Sequence, residues 1–149
     1  MSAQTATGGC QCGAVRYEAT MPPGKVSYCH CRMCQKAFGN LFALLAPFKR
    51  TQLHFTQPPA VYRSSSVAER GFCSACGTPL TFAYLDSEWI AVSVGSFDDP
   101  AQFPPGVHYG VEGQVSWLHI VDELPRLTTG EEDSEGRLKH LLIHQHPDR

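Results

Sequence analysis

Three features of the sequence predict a mainly β domain of short strands separated by turns, with short helical turns. Aromatic and β-branched residues recur in short runs, at Ala14 to Glu18, Thr81 to Tyr84 and Trp89 to Val94. The thirteen glycines and eleven prolines are spread along the chain, which divides it into strands and turns. All seven cysteines fall in three tight groups, which lets metal staple strands that are far apart in sequence.

Each element has its own local reason. Ala14 to Glu18 is one of the short runs rich in aromatic and β-branched residues that read as strands. Cys31 to Phe38 is the one convincing helical stretch, of one or two turns, because small and unbranched residues follow a cysteine group and Gly39 with Asn40 supplies a stop. Trp89 to Val94 is nearly continuous in apolar residues and bounded by Asp86, Ser87 and Gly95, which predicts a strand buried on both faces. From Thr128 the chain turns polar and acidic, TTGEEDSEGR, before an apolar patch at Leu141 to Ile143 in a His-rich end. The expected organisation is therefore one domain over residues 1–127 and a polar C-terminal tail over 128–149, ending in a short docked helix.

Composition excludes several classes. A net charge of -2 and a pI near 6.4 provide no basic field for nucleic acid or an anionic membrane surface. No run approaches the roughly 18 apolar residues of a membrane helix, and MSAQTATGG lacks the charged and apolar regions of a signal peptide. Seven cysteines cannot all pair in disulfides, so reduced, metal-bound thiolates in a cytoplasmic protein are expected.

The cysteines stand as Cys10 and Cys12 in GGCQCGAVRYE, Cys29, Cys31 and Cys34 in CHCRMC, and Cys73 and Cys76 in FCSACGTPL. A tetrahedral zinc ion takes four soft ligands at about 2.3 Å, and a pair two or three residues apart on a tight turn supplies two of them without strain. Gly13 and Gly77 directly follow the last cysteine of their pairs, where a positive φ turns backbone N–H groups toward sulfur. Joining Cys10 and Cys12 to Cys73 and Cys76 closes a structural zinc site. Cys29, Cys31 and Cys34 then remain as a three-thiolate group with its fourth position free for water or substrate, the candidate catalytic zinc site. Other readings stay open: closure of that second site by His30, His54, His108 or His119, burial of some cysteines as plain apolar residues, or an iron–sulfur cluster, whose known spacings these groups do not match.

The motifs GxCxCGxVRYE, CHCxxCQK and FCxxCGTxL, in this order, resemble the glutathione-dependent formaldehyde-activating enzyme family, also called the centromere protein V family. The resemblance covers roughly residues 7 to 127, including VHYGVEGQVSWLHIVDELPR. It implies an Mss4-like fold of antiparallel β-sheets, a structural zinc on Cys10, Cys12, Cys73 and Cys76, and a catalytic zinc on Cys29, Cys31 and Cys34. It also implies a carbon–sulfur lyase or synthase activity, with glutathione as the small-molecule thiol and formaldehyde as the aldehyde. In such a reaction a bound thiol is acidified from its free pKa of about 8.5 and attacks an aldehyde carbon.

Glutathione carries two carboxylates, so Arg32, Lys36 and Arg70, which flank the cysteine groups, are candidate partners for it, with plain surface charge as the rival reading. The resemblance marks His108 and Trp117 as further pocket positions, although Trp117 reads better as core. His140, His144 and His146 read as solvated tail residues despite an i, i+4 pair. Two other functions compete with the enzyme, a non-catalytic zinc-stabilised binding module and a relative whose second cysteine group responds to oxidation.

Overall fold

The computed structural model describes residues 4–148. Its strands are β1 (Thr5–Gly9), β2 (Arg16–Thr20), β3 (Ser27–Cys29), β4 (Ala43–Lys49), β5 (Leu53–Phe55), β6 (Ala60–Arg63), β7 (Ala68–Phe72), β8 (Pro79–Tyr84), β9 (Trp89–Ser93), β10 (Val107–Tyr109) and β11 (Arg126–Leu127). Two short helices, α1 (Arg32–Phe38) and α2 (Thr129–Glu132), accompany them. The fold is mainly β, as the strand runs predict. No helix among the described residues is long and apolar enough to cross a membrane, which leaves β-barrels unaddressed.

β1, β2 and β5 form a small antiparallel sheet, and the other strands form an eight-stranded sheet in the order β11, β10, β3, β4, β9, β8, β7, β6. One part of that sheet departs from the antiparallel expectation, since β10 runs parallel to both β3 and β11. Segment 94–106 carries the chain from β9 past β4 and β3 to β10. A connection of that kind, unlike a hairpin, leaves strand direction free.

Strand alternation sorts the side chains of β4. Leu44, Ala46 and Phe48 join the main core, with Tyr17 and Leu53 of the small sheet and Leu80 and Val92 of the large one. Ala43 and Leu45 point the other way, into a second apolar cluster with Cys34, Cys29, Cys31, Phe38, Phe82 and Ala91. Tyr17 sits edge-on to Phe55 and Phe97 and its hydroxyl meets Ser96 Oγ at 2.6 Å, so the small sheet is locked by both packing and a hydrogen bond. Burial of one such ring contributes about 1.5–3 kcal/mol.

β9 is less enclosed than its run of apolar residues predicts. Val92 and Ser93 are buried, but Trp89 is 38% exposed, because the early part of the strand borders a cavity. Trp117, expected in the core, is 68% exposed, on a loop whose residues 115–120 include no buried side chain.

Residues 128–148 return to the body of the molecule. Ser66 N donates to Leu142 O, His144 N to Ser64 O, and the Tyr62 hydroxyl to His144 O, at 2.8–3.1 Å. Ile143 bridges to Ser65. The short helix stands at the start of this segment, capped by Thr128 Oγ1 on Glu131 N, rather than at its end. The His-rich end is not helical, so His140 and His144 form no i, i+4 pair, and His144 Nδ1 contacts Arg63 O at 2.8 Å.

Candidate metal centres and the adjoining cavity

Two hairpin turns meet at the first cysteine group. Cys10 and Cys12 lie in the turn from β1 to β2, Cys73 and Cys76 in the turn from β7 to β8, and the four sulfurs lie within 4.8 Å of one another. Each turn is built alike. Gly13 N donates to Cys10 O and Gly77 N to Cys73 O, and both glycines hold φ at 82°, a left-handed conformation that favours residues without a Cβ. Backbone N–H groups point at sulfur, Val15 to Cys10 at 3.2 Å and Ala75 to Cys73 at 3.4 Å. The turns are also tied to each other, with Gln11 N donating to Thr78 Oγ1 at 3.0 Å. Hydrogen bonding lowers two of the thiols: the Val15 N–H acts on Cys10, and Thr78 brings Cys76 down to about 5. Four converging sulfurs with N–H donors fit a closed, soft-metal site such as zinc.

The second group is local in sequence. Cys29 ends β3, Cys31 caps α1 by accepting from Cys34 N at 3.4 Å, and Cys34 follows within the first turn of α1. Their three sulfurs also lie within 4.8 Å of one another. Among the described residues no histidine, aspartate or glutamate joins them as a fourth member, which sets aside closure by His30, His54, His108 or His119. Gly110 presses on this group from outside: it holds φ at 62°, and a Cβ there would stand 2.9 Å from Cys31 N. The three thiols split in acidity. Hydrogen bonds from Cys29 and Cys31, then the nearby Arg70 cation, hold Cys34 well below the ordinary thiol range, and the same hydrogen bonding with burial pushes Cys29 up.

Arg70, which the sequence leaves open between a partner for a glutathione carboxylate and plain surface charge, is placed at the cavity. It is buried, Nη2 donates to Cys34 Sγ at 3.5 Å, and its guanidinium lies over the rings of Phe82 and Phe38 at 4.8 and 6.0 Å. Arg32 and Lys36 are committed elsewhere, both to Asp148, at 2.9 and 3.7 Å.

Cys29, Cys31 and Cys34 open on a cavity of about 420 Å³. Leu45, Phe82 and Trp89 give it apolar walls from the sheet, and Leu138 and Leu141 close one side from the returning C-terminal segment. Lys25, Arg70 and Glu132 are its lining residues with a charged group and no ion pair among the described residues.

His108 does not line this cavity. It is fully buried and links two groups, with Nδ1 2.9 Å from His30 Nε2 and Nε2 2.9 Å from Asp122 Oδ2. The Asp122 carboxylate, held low by this bond, accepts from Nε2–H, so His108 Nδ1 accepts from His30 Nε2–H. Tyr28 stacks on His108 at 4.5 Å, and burial brings His30 down to about 4, which keeps it neutral. The chain from Asp122 to His30 thereby fixes the residue between Cys29 and Cys31. Gln35 adds to this by donating to the carbonyls of His30 and Gly113, both at 2.9 Å. Nothing local in the sequence announces Asp122, Asp148, Lys25 or Glu132, whose partners or neighbours lie far away along the chain.

A putative glutathione-dependent formaldehyde-activating enzyme of Halomonas elongata is 28% identical over 126 residues, covering 76% of this chain and 79% of that protein. An uncharacterized lyase of Schizosaccharomyces pombe is 35% identical over 81 residues, 54% of this chain, and the match spans 59% of the yeast protein's length. A crystal structure of a Rhodobacter sphaeroides protein shares the fold, with a TM-score of 0.53 and 20% identity over 80% of this chain and 98% of that one. The profile of the glutathione-dependent formaldehyde-activating enzyme family matches residues 5–112, a span that holds both cysteine groups, and the chain belongs to that family.

Proposed function

We propose that this protein is a zinc-dependent carbon–sulfur lyase or synthase that interconverts glutathione and formaldehyde with their adduct, S-hydroxymethylglutathione. The observation that carries this reading is the three-thiol group opening on a cavity with no fourth protein ligand among the described residues. Cys10, Cys12, Cys73 and Cys76 hold a structural zinc, and Cys29, Cys31 and Cys34 hold the catalytic one. Zinc in the second site supplies an open coordination position and positive charge that acidify an incoming thiol.

The residues of the chain do the rest. Arg70 shares the negative charge of Cys34 through its hydrogen bond, and the chain from Asp122 to His30 keeps Cys29 and Cys31 in register. Lys25 and Arg70, not Arg32 or Lys36, are the cations that line the cavity and are available to a glutathione carboxylate. The apolar walls from Leu45, Phe82 and Leu138 limit water around the reacting carbon.

The test measures zinc content and formaldehyde–glutathione exchange, followed by NMR, for wild type and a Cys31→Ser, Cys34→Ser variant. Wild type is expected to hold two zinc ions and accelerate exchange, the variant to hold one and lose the acceleration with its β-rich circular dichroism intact. One zinc in both proteins, or equal exchange rates, overturns the proposal. The alternative, a binding module, draws on the exposed Val61, Tyr62, Leu142 and Ile143, which β6 and the C-terminal segment bring to one area.

A further inference from the structure

We propose that Glu132, supplied by the C-terminal segment beyond the family match, is the proton donor and acceptor of the carbon–sulfur step. This inference rests on the function proposed above.

The reaction needs such a group. When thiol sulfur forms its bond to the aldehyde carbon, the C=O π pair moves onto oxygen, and that oxygen must take a proton to become the hydroxyl of the adduct. In the assignment made here the Glu132 carboxyl gives that proton and becomes carboxylate. It recovers the proton from the S–H of the next thiol, so the sum is thiol plus aldehyde to adduct, with no proton gained or lost. In the reverse direction the carboxylate removes the hydroxyl proton as the C–S bond breaks.

The structure offers Glu132 for this task and little else. It lines the same cavity as Cys29, Cys31 and Cys34. Its neighbours on the segment are engaged, Glu131 with Thr128 Oγ1 and Asp133 with the backbone N–H groups of Arg137 and Leu138, whereas no hydrogen bond to the Glu132 carboxyl occurs among the described residues. α2 is held in place by Thr128 and by Glu112, which accepts from Thr129 N at 2.9 Å, so the carboxyl is delivered from an anchored turn. His30 and His108, the other candidates, are sealed in their own hydrogen-bonded pair away from the cavity.

The environment tunes the group as the chemistry requires. Glu132 keeps solvent contact, yet desolvation by the protein around it, then the negative charges of Cys31, Asp133 and Glu112, raise it to about 7. Tyr84 and Tyr109 also face it, and both stay protonated there, since burial raises each phenol further. A carboxyl group balanced near neutrality serves as acid in one direction and base in the other.

The experiment compares wild type, Glu132→Gln and Glu132→Asp, with Glu131→Gln as a control, all zinc-loaded. Exchange NMR gives rates in both directions from pH 5.5 to 8.5, a range of about 1.5 units either side of neutrality. Glu132→Gln is expected to lower kcat by about 10²-fold or more with KM for the thiol unchanged. Because the sum gains and loses no proton, wild-type synthesis and cleavage should share one pH profile that rises as Glu132 ionises through about 7, and the Gln variant should lose that rise. Glu132→Asp should restore part of the rate, and Glu131→Gln should match wild type. Independently of turnover, ¹³C NMR of labelled carboxyl groups should show one titrating near 7 in wild type and absent from Glu132→Gln. An unaltered rate and pH profile in Glu132→Gln, or a Glu132 carboxyl that titrates in the ordinary range, overturns this assignment alone. A wild type that does not accelerate exchange overturns the function on which it rests.

Discussion

The two cysteine groups make a controlled comparison within one molecule. The four-thiol group is built from two glycine-closed turns at the ends of separate hairpins, and its cysteines Cys10 and Cys73 sit inside the main core. The three-thiol group is built almost wholly within residues 29–34, lies on the opposite face of β4, and borders a cavity. One joins elements about sixty residues apart, Cys12 and Cys73 being separated by 61 positions, while the other constrains one strand end and one helix turn. The lesson is that a metal site stabilises a fold in proportion to what it joins, and a site that joins little is free to serve chemistry.

Breaking each group in turn should give the largest contrast. Cys73→Ser removes one of the four ligands proposed for the core-spanning site, and metal binding in structural zinc sites is worth on the order of 10 kcal/mol, comparable with the whole stability of a domain. The expected outcome is loss of cooperative thermal unfolding and of both metal ions. Cys34→Ser should keep a cooperative transition, lowered only modestly, with one metal ion retained. Calorimetry and metal analysis decide this, and equal destabilisation would dissolve the distinction between the two groups.

A smaller effect should come from the support of the three-thiol group. His108→Leu strands the buried His30 donor, which costs about 1–3 kcal/mol and lowers Tm by about 3–8 °C. Because His30 lies between Cys29 and Cys31, the variant should also lose metal from the second site at lower chelator concentration while the first site is unchanged. Chelator titration with two resolved release steps is the readout, and equal weakening of both steps would place His108 in the general scaffold.

The smallest effect belongs to the surface beside the four-thiol turn. Arg16 pairs with Asp98 through two hydrogen bonds of 3.0 and 2.6 Å, and both residues are solvent-exposed. Hydrogen bonding to Arg16, then to Thr7, holds Asp98 at about 2. A depressed carboxylate contributes stability that is fully present above its unfolded pKa of about 3.9 and is lost as pH falls through about 2. Asp98→Asn should therefore lower Tm by a degree or two at neutral pH, with the difference from wild type vanishing near pH 2. A difference that persists in acid would point to the lost Thr7 contact rather than to charge.

Several of these features are legible in the sequence because they are local. The spacing of Cys29, Cys31 and Cys34 needs only one helix turn to converge, and Gly39 ends α1 with φ at 59° where the sequence predicts a stop. Gly13 and Gly77 adopt their positive φ because the tight turn requires it whatever surrounds them. Other features depend on distant partners and escape a reading of neighbours. The sequence leaves Arg70 open between a site cation and plain surface charge until β7 brings it against Cys34, and Trp117 reads as core until its loop leaves it outside. Asp148 is 116 residues from Arg32, and no spacing rule relates them.

What the sequence by itself determined is the strand-rich class, the grouping of thiols into two clusters that could hold metal and the glycine turns that shape one of them. These follow from backbone sterics and ligand spacing over a few residues. Only the tertiary structure decided that β10 runs parallel to β3, that His108 reaches His30 rather than the cavity, and that residues 128–148 return to wall the site and bring Glu132 to it. Those outcomes depend on which sheet faces find enough apolar surface to bury against each other, a property of the whole chain that no short window of residues contains.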